Sequence, residues 1–169
     1  MLKIEGSVEV AATLEDAWAL FNRFGEVARL IPSVENVEVD GEAVDAQVAV
    51  RLGKFPVRSR VRLEVVERKP LACLKARGAS YLGQTIRERA SKAVRGIDDG
   101  SVGRLFLHLD LRPTDTAGRI LLLYSAEVEA EGRLRRIYQS ILALKAPAMM
   151  AEFAENIRQV LEGKGAKGP

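Results

Sequence analysis

Between Val34 and Leu74 apolar and polar residues alternate with a period of two. Val37 and Val39 lead to a turn at Asp40-Gly41, and Val44, Ala46, Val48, Val50 and Leu52 then alternate with Asp45, Gln47 and Arg51. After Gly53-Lys54, the residues Phe55, Val57, Val61, Leu63 and Val65 alternate with Arg58, Arg60, Arg62 and Glu64. Successive strand side chains point to opposite faces, so each run is a strand with one apolar face. Short turns between consecutive runs make an antiparallel meander, polar on its other side. The run Phe55 to Val65 extends about 35 Å at ~3.3 Å per residue, and a strand that long must curve around something.

The flanks supply the rest. Leu2, Ile4, Gly6, Val8 and Val10 alternate with Lys3, Glu5, Ser7 and Glu9, which predicts a first strand. Thr13 before Leu14-Glu15-Asp16 is a helix start with an acidic first turn. Ala17, Leu20, Phe21 and Phe24 follow at helical spacing. Gly25 breaks that helix, and a second short one carries Val27, Leu30 and Ile31 until Pro32 ends it. Lys69-Pro70 separates the long strand from another at Leu71 to Ala76. Residues 84–101 carry Ile86, Ala90, Ala93, Val94 and Ile97 on one helical face, with Arg87, Arg89, Lys92 and Arg95 around it. This segment reads as a basic amphipathic lid helix or as a long bent hairpin tip. Period two returns at Leu105, Leu107, Leu109 and Leu111, and at Ile120, Leu122, Tyr124, Ala126 and Val128. Leu121 and Leu123 make the second of these strands apolar on both faces.

From Leu134 to Leu161 the period is helical, about 42 Å at 1.5 Å per residue, with Pro147 expected to kink it. The chain of 169 residues reads as one domain over 1–163 with a flexible tail at 164–169. The fold class is α+β: a curved antiparallel sheet of six to seven strands, two short helices after strand 1, and one long C-terminal helix to cover the apolar face. A helix held in a concave sheet leaves an apolar cavity, the usual place for a small hydrophobic ligand.

Composition narrows the function. Cys73 and His108 are the single cysteine and histidine, so a disulfide, a CxxC site and a usual zinc site are not expected. They would form a nucleophilic dyad only if the fold brought them together. No GxGxxG, GxxxxGKS or GxSxG motif occurs. No run approaches the ~20 apolar residues of a membrane span, and the first residues lack a signal-peptide core, so a cytoplasmic location is expected. Net charge is +3, with 18 Arg and 8 Lys, and no aromatic interleaves the basic residues, which argues against a nucleic-acid platform. Three Asn and four Gln beside 16 Glu give a thermophile-like composition.

The element order resembles the helix-grip fold of the START/Bet v 1-like superfamily, which includes polyketide cyclases and lipid carriers. Within it the chain is similar to the CoxG family, the accessory proteins of carbon monoxide dehydrogenase. The residues that carry this likeness are Gly6, Thr13 to Trp18, Leu30-Ile31-Pro32-Ser33-Val34, Val50 to Val57, Leu122-Leu123-Tyr124 and Gly132-Arg133-Leu134. Ser33 stands where that family commonly has Gly, and residues 84–101 look like an insertion. The C-terminal extension thought to anchor some relatives to membrane does not follow residue 163, so a membrane-anchor role is not expected from the resemblance. The resemblance implies binding of a quinone- or lipid-like molecule and help in recruiting or assembling a membrane-associated molybdenum hydroxylase. The alternative it leaves open is a cyclase or dehydratase working in the same cavity.

The expected cavity wall comprises Trp18, Val48, Val50, Val61, Leu63, Leu107, Leu109, Leu122, Tyr124, Tyr138, Ile141 and Met149. Tyr124 and Tyr138 are its candidate polar handles, or else core aromatics whose hydroxyls reach backbone. Met149 and Met150 beside Pro147 offer a pliable mouth, or plain packing. His108, Asp110 and Glu127 point away from the leucine face, so no catalytic residue is expected. Arg58, Arg60 and Arg62 form an exposed row that, with Arg87, Arg89, Lys92 and Arg95, would suit an anionic membrane or an acidic partner, or be a solvated face. No cofactor is expected. The expected partners are a small hydrophobic molecule and a redox enzyme complex or anionic membrane surface.

Overall fold

The computed structural model describes residues 2–83 and 102–166. The segment 84–101, with Arg87, Arg89, Lys92 and Arg95, lies outside the described residues. Strand β1 (Leu2–Val10) leads to helices α1 (Leu14–Asn22) and α2 (Phe24–Leu30). Strands β2 (Val34–Asp40), β3 (Ala43–Leu52), β4 (Phe55–Lys69), β5 (Cys73–Leu82), β6 (Val102–Pro113) and β7 (Ile120–Glu129) follow. Helices α3 (Gly132–Leu144) and α4 (Ala146–Ala166) close the described chain. The seven strands form one sheet in the order β1-β7-β6-β5-β4-β3-β2, each pair antiparallel. This is the helix-grip architecture that the alternation and the long terminal apolar stripe predict.

Register sorts the side chains. Val8, Leu122, Leu111 and Leu74, Leu109, Tyr124, Gly6 fall on the inner face through direct cross-strand pairing. Thr13 caps α1, its Oγ1 accepting from Asp16 N at 3.0 Å. The main core joins Val10, Leu20, Phe21, Val27, Leu74, Leu109, Leu122 and Ile157. Two long-range bonds fix α4 over it: Asn156 Nδ2 donates to Leu30 O at 2.9 Å, and Ala11 N donates to Glu162 Oε2 at 2.9 Å.

Three expectations change. Strand β4 runs four residues past Val65, through a register shift between Val65 and Glu67 that takes up its curvature. The strand expected at Leu71 to Ala76 begins at Cys73 and continues to Leu82, because Leu71 takes φ +63° in the turn. The terminal helix is divided rather than merely kinked. Lys145 ends α3 at φ −119°, ψ −30°, and Pro147 falls in the first turn of α4, where its missing N–H breaks no helical bond. Ser33 adopts φ +73°, the left-handed conformation that explains the Gly expected there from the resemblance.

Candidate functional site

An apolar cavity of about 140 Å³ lies between the inner face of β1, β7 and β6 and the helices α2 and α4. Ile4, Ala126, Tyr124, Leu107 and Leu109 form the sheet side, with Ser125 at the edge. Val27, Ile31 and Pro32 close it from α2 and the following turn, and Met149, Met150 and Phe153 from α4. A Cβ on Gly6 would sit 2.7 Å from Tyr124 Oη and 2.8 Å from Met150 Cε, so glycine is what lets the tyrosine ring lie across β1. The ring is held at both ends. Its hydroxyl donates to Met150 O at 3.3 Å, and its edge meets Phe153 at a centroid distance of 5.2 Å and 82°.

Among the described residues that line the cavity, Tyr124 is the one ionisable side chain. Burial pushes its phenol above the ordinary value, so it stays protonated and is a weaker acid than a free phenol. Among the described residues the wall therefore offers apolar contact and hydroxyl hydrogen bonds, with no charged side chain.

Of the expected wall residues, the cavity gathers Leu107, Leu109, Tyr124 and Met149. Trp18 and Leu63 pack on the main core instead, and Leu122 is 1% exposed within it. Tyr138 belongs to a second cluster with Leu134, Val128, Leu105, Leu82 and Leu2. Burial raises its phenol too, with the Ser80 hydroxyl acting against the shift. Val48, Val50 and Val61 sit on β3 and β4, beyond β5 from the cavity, and Ile141 is on α3. The chain divides at Lys145: the 13-residue α3 brings Leu134 and Tyr138 to the second cluster, and the 21-residue α4 brings Phe153, Ile157 and Leu161 to the main core. Sequence reading missed Ile4, Val27, Ile31, Pro32, Ala126 and Phe153 as wall residues, and offered Met150 only as part of a pliable mouth. Ile4 and Ala126 were legible as inner-face positions, but only the pairing Ile4↔Ala126 shows that they meet.

The outer face also departs from expectation. Arg58 is exposed, but the row is interrupted at Arg60, which is 6% exposed. Arg60 Nη1 donates to Asp45 Oδ1 at 2.9 Å, and its guanidinium lies 4.4 Å from the Tyr81 ring centroid. Arg62 also bonds Asp45 and stays partly exposed. Asp45 is 2% exposed, so a cross-strand carboxylate on β3 has turned two expected surface charges into a structural cluster. His108 and Asp110 face outward as expected and are 3.2 Å apart, Nε2 to Oδ1. The fold does bring Cys73 to them. The sulphur, an imidazole nitrogen and an Asp110 oxygen all lie within 4.8 Å of one another. The two single residues, separated by 35 positions, thus become neighbours through β5–β6 pairing.

A sequence model of the family described as polyketide cyclase / dehydrase and lipid transport matches residues 1–162. No curated protein matches the chain. Among solved structures it is similar to a conserved protein from Geobacillus kaustophilus, with TM-score 0.73, 18% identity, and 96% and 97% of the two chains covered. It is also similar to the Zhui aromatase/cyclase from Streptomyces sp. R1128, with TM-score 0.65, 14% identity, and 99% of each chain covered. Norcoclaurine synthase from Thalictrum flavum, in complex with dopamine and hydroxybenzaldehyde, aligns with TM-score 0.59, 16% identity, and 96% and 87% coverage. No helix of the described residues is long and apolar enough to cross a membrane.

Proposed function

The chain belongs to the polyketide cyclase/dehydrase and lipid transport family, and on that premise we propose that it binds a small, neutral, ring-sized hydrophobic molecule in the cavity beneath Tyr124 and does not transform it. The observation that carries this reading is the cavity wall. A space of about 140 Å³ is close to the ~150 Å³ apolar cavity that accepts benzene in an engineered protein, and below the ~300 Å³ of ordinary ligand pockets. One six-membered ring fills it, with a hydroxyl placed to donate to Tyr124 Oη, or a carbonyl placed to accept the Tyr124 O–H in place of its long 3.3 Å bond to Met150 O. A quinone head group meets these requirements; a longer tail would have to pass the Met149–Met150 pair, whose unbranched side chains repack at low cost.

The finer part of this proposal is assistance to a membrane-associated redox enzyme of the carbon monoxide dehydrogenase type, at the cytoplasmic side of the membrane. It is supported by the segments that resemble the CoxG family, including the Gly6–Tyr124 contact that shapes the cavity. A cyclase or dehydratase needs a group that takes or gives a proton at the substrate. Here the lining residues offer only a phenol made less acidic by burial, which favours carriage over catalysis.

The test is thermal shift and calorimetry on the full chain with phenol, benzoquinone and benzoate, alongside native mass spectrometry after organic extraction. Neutral rings should stabilise the protein and benzoate should not, because an unpaired carboxylate loses its solvation in an uncharged wall. Phe153→Trp, which fills the space, should abolish the shift. Absence of both a co-purified lipophile and any shift with neutral rings would defeat the proposal.

A further inference from the structure

The outer face of the sheet carries a second cluster whose chemistry the cavity does not use. Register sets Cys73 directly opposite Asp110, and Lys75 opposite His108, so β5 and β6 present sulphur, imidazole and carboxylate on one face. Their ligand atoms lie within 4.8 Å of one another, with His108 Nε2 and Asp110 Oδ1 at 3.2 Å. Glu67, from β4, brings Oε2 to 4.0 Å from Cys73 Sγ. In a tetrahedral zinc site with one sulphur, one nitrogen and one oxygen ligand, ligand atoms stand about 3.4–3.6 Å apart. The His–Asp edge is already that short, and the longest separation closes with side-chain shifts of about 1 Å.

We propose that Cys73, His108 and Asp110 form a binding site for a divalent transition-metal ion of the zinc class, its fourth position open to the polar groove beside them. That groove is about 440 Å³ and is lined by His108 and Asp110 together with Lys3, Ser7 and Ser125. The donor set decides the class of ion. A thiolate with an imidazole favours zinc and its soft neighbours over magnesium or calcium, which prefer oxygen alone. Burial shields the sulphur, at 7% exposed, while His108 and Asp110 remain partly exposed and give the ion a way in. Three cations compete for the carboxylates: Arg112 Nη2 lies 3.5 Å from Asp110, and Lys75 Nζ and Lys69 Nζ lie 3.2 Å and 4.0 Å from Glu67. All are at least partly exposed pairs, which are weak and readily released. A nucleophilic role fits less well. The carboxylates of Glu67 and Asp110 beside the sulphur would oppose a free thiolate, whereas a bound ion turns those same charges into a ligand and a supporting shell. On binding, the Cys73 thiol gives its proton to solvent, so affinity falls as pH falls.

The test is calorimetric titration of the untagged full chain with zinc chloride, with absorption spectra of the cobalt(II)-loaded protein. The expected result is one ion per chain and a thiolate-to-cobalt charge-transfer band in the near ultraviolet. Cys73→Ser, His108→Gln and Asp110→Asn should each weaken binding by at least tenfold while melting like the wild-type chain without metal. Asp110→Asn, a change at a partly exposed residue, keeps the test valid if Cys73→Ser fails to fold. The proposal is overturned if the wild-type chain takes up no stoichiometric ion, if bound cobalt shows no thiolate band, or if the folded variants bind as the wild type does. Ring binding in the cavity does not depend on this outcome.

Discussion

Replacing Gly6 by alanine tests how the cavity is built. The new Cβ would lie 2.7 Å from Tyr124 Oη, and 2.8 Å from both Tyr124 Cε2 and Met150 Cε. Ordinary contact begins near 3.4 Å, so the ring must retreat by about 0.6–0.7 Å. Met150 Cε can swing away, but the ring cannot move freely. Its hydroxyl bond to Met150 O is already 3.3 Å, and its edge rests on Phe153. Loss of a hydrogen bond worth about 0.5–1.5 kcal/mol and of part of an aromatic pair worth about 0.5–1.5 kcal/mol gives about 1–3 kcal/mol. Removing glycine from a strand returns about 0.5–1 kcal/mol. The net is about 0–2.5 kcal/mol, centred near 1 kcal/mol, which is a fall in Tm of roughly 2–4 °C for a chain of this size. Thermal melts by circular dichroism measure it, within a double-mutant cycle with Tyr124→Ala. In the Tyr124→Ala background the same Gly6→Ala change should be neutral or stabilising, because the ring it strikes is gone. An equal loss of Tm in both backgrounds would refute the argument and place the need for glycine in the strand itself.

Further consequences follow from the same packing. Gly78→Ala puts a Cβ 1.7 Å from the Arg62 carbonyl oxygen and 2.9 Å from Leu63 Cα, so β4 and β5 must part; we expect a loss of about 3 kcal/mol or more, read as the shift of the urea midpoint. Asp45→Ala leaves Arg60 buried without that carboxylate and should cost about 3–5 kcal/mol, with much of it recovered in Asp45→Ala/Arg60→Met, as followed by chemical denaturation. Tyr124 and Tyr138 both titrate higher in the folded chain than unfolded, so the stability they contribute is complete below about pH 10 and is lost as pH rises through their folded values. Wild-type Tm should therefore fall more steeply above about pH 10 than that of Tyr124→Phe/Tyr138→Phe, and parallel curves would contradict the assignment.

Strand faces were legible because period two is a property of neighbours in sequence. Leu107, Leu109 and Tyr124 could be placed on the inner face from alternation alone, and they line the cavity. What the pattern could not carry is which stretch of helix lies over which strands. Leu122 and Leu109 look alike in sequence, yet one is sealed in the core and the other also borders the cavity. The difference lies in how α4 is seated, and Asn156 on Leu30 O fixes that seat across 126 residues. Charge was misread for the same reason. Arg60 alternates like Arg58, but only β3–β4 pairing, which sets Asp45 opposite Arg62 and Gln47 opposite Arg60, reveals the carboxylate that draws it in. Cys73 and His108 seemed isolated because their partners arrive through register rather than spacing.

One stretch of β7 ties these observations together. Tyr124 and Ser125 border both the apolar cavity and the polar groove, so at this point a single strand separates the two. Consecutive strand residues point to opposite sides, and the two faces can therefore diverge in chemistry without compromise. Inside, the ring of Tyr124 needs Gly6 to lie flat and Phe153 to hold its edge, which leaves a neutral space. Outside, Lys3, Glu5 and Asp110 hold their charges where water can solvate them, beside the His108 imidazole. Because no charged side chain among the described residues lines the inner wall, the proposed guest would be selected by shape and by hydroxyl hydrogen bonds, while the proposed metal ligands face the outer surface.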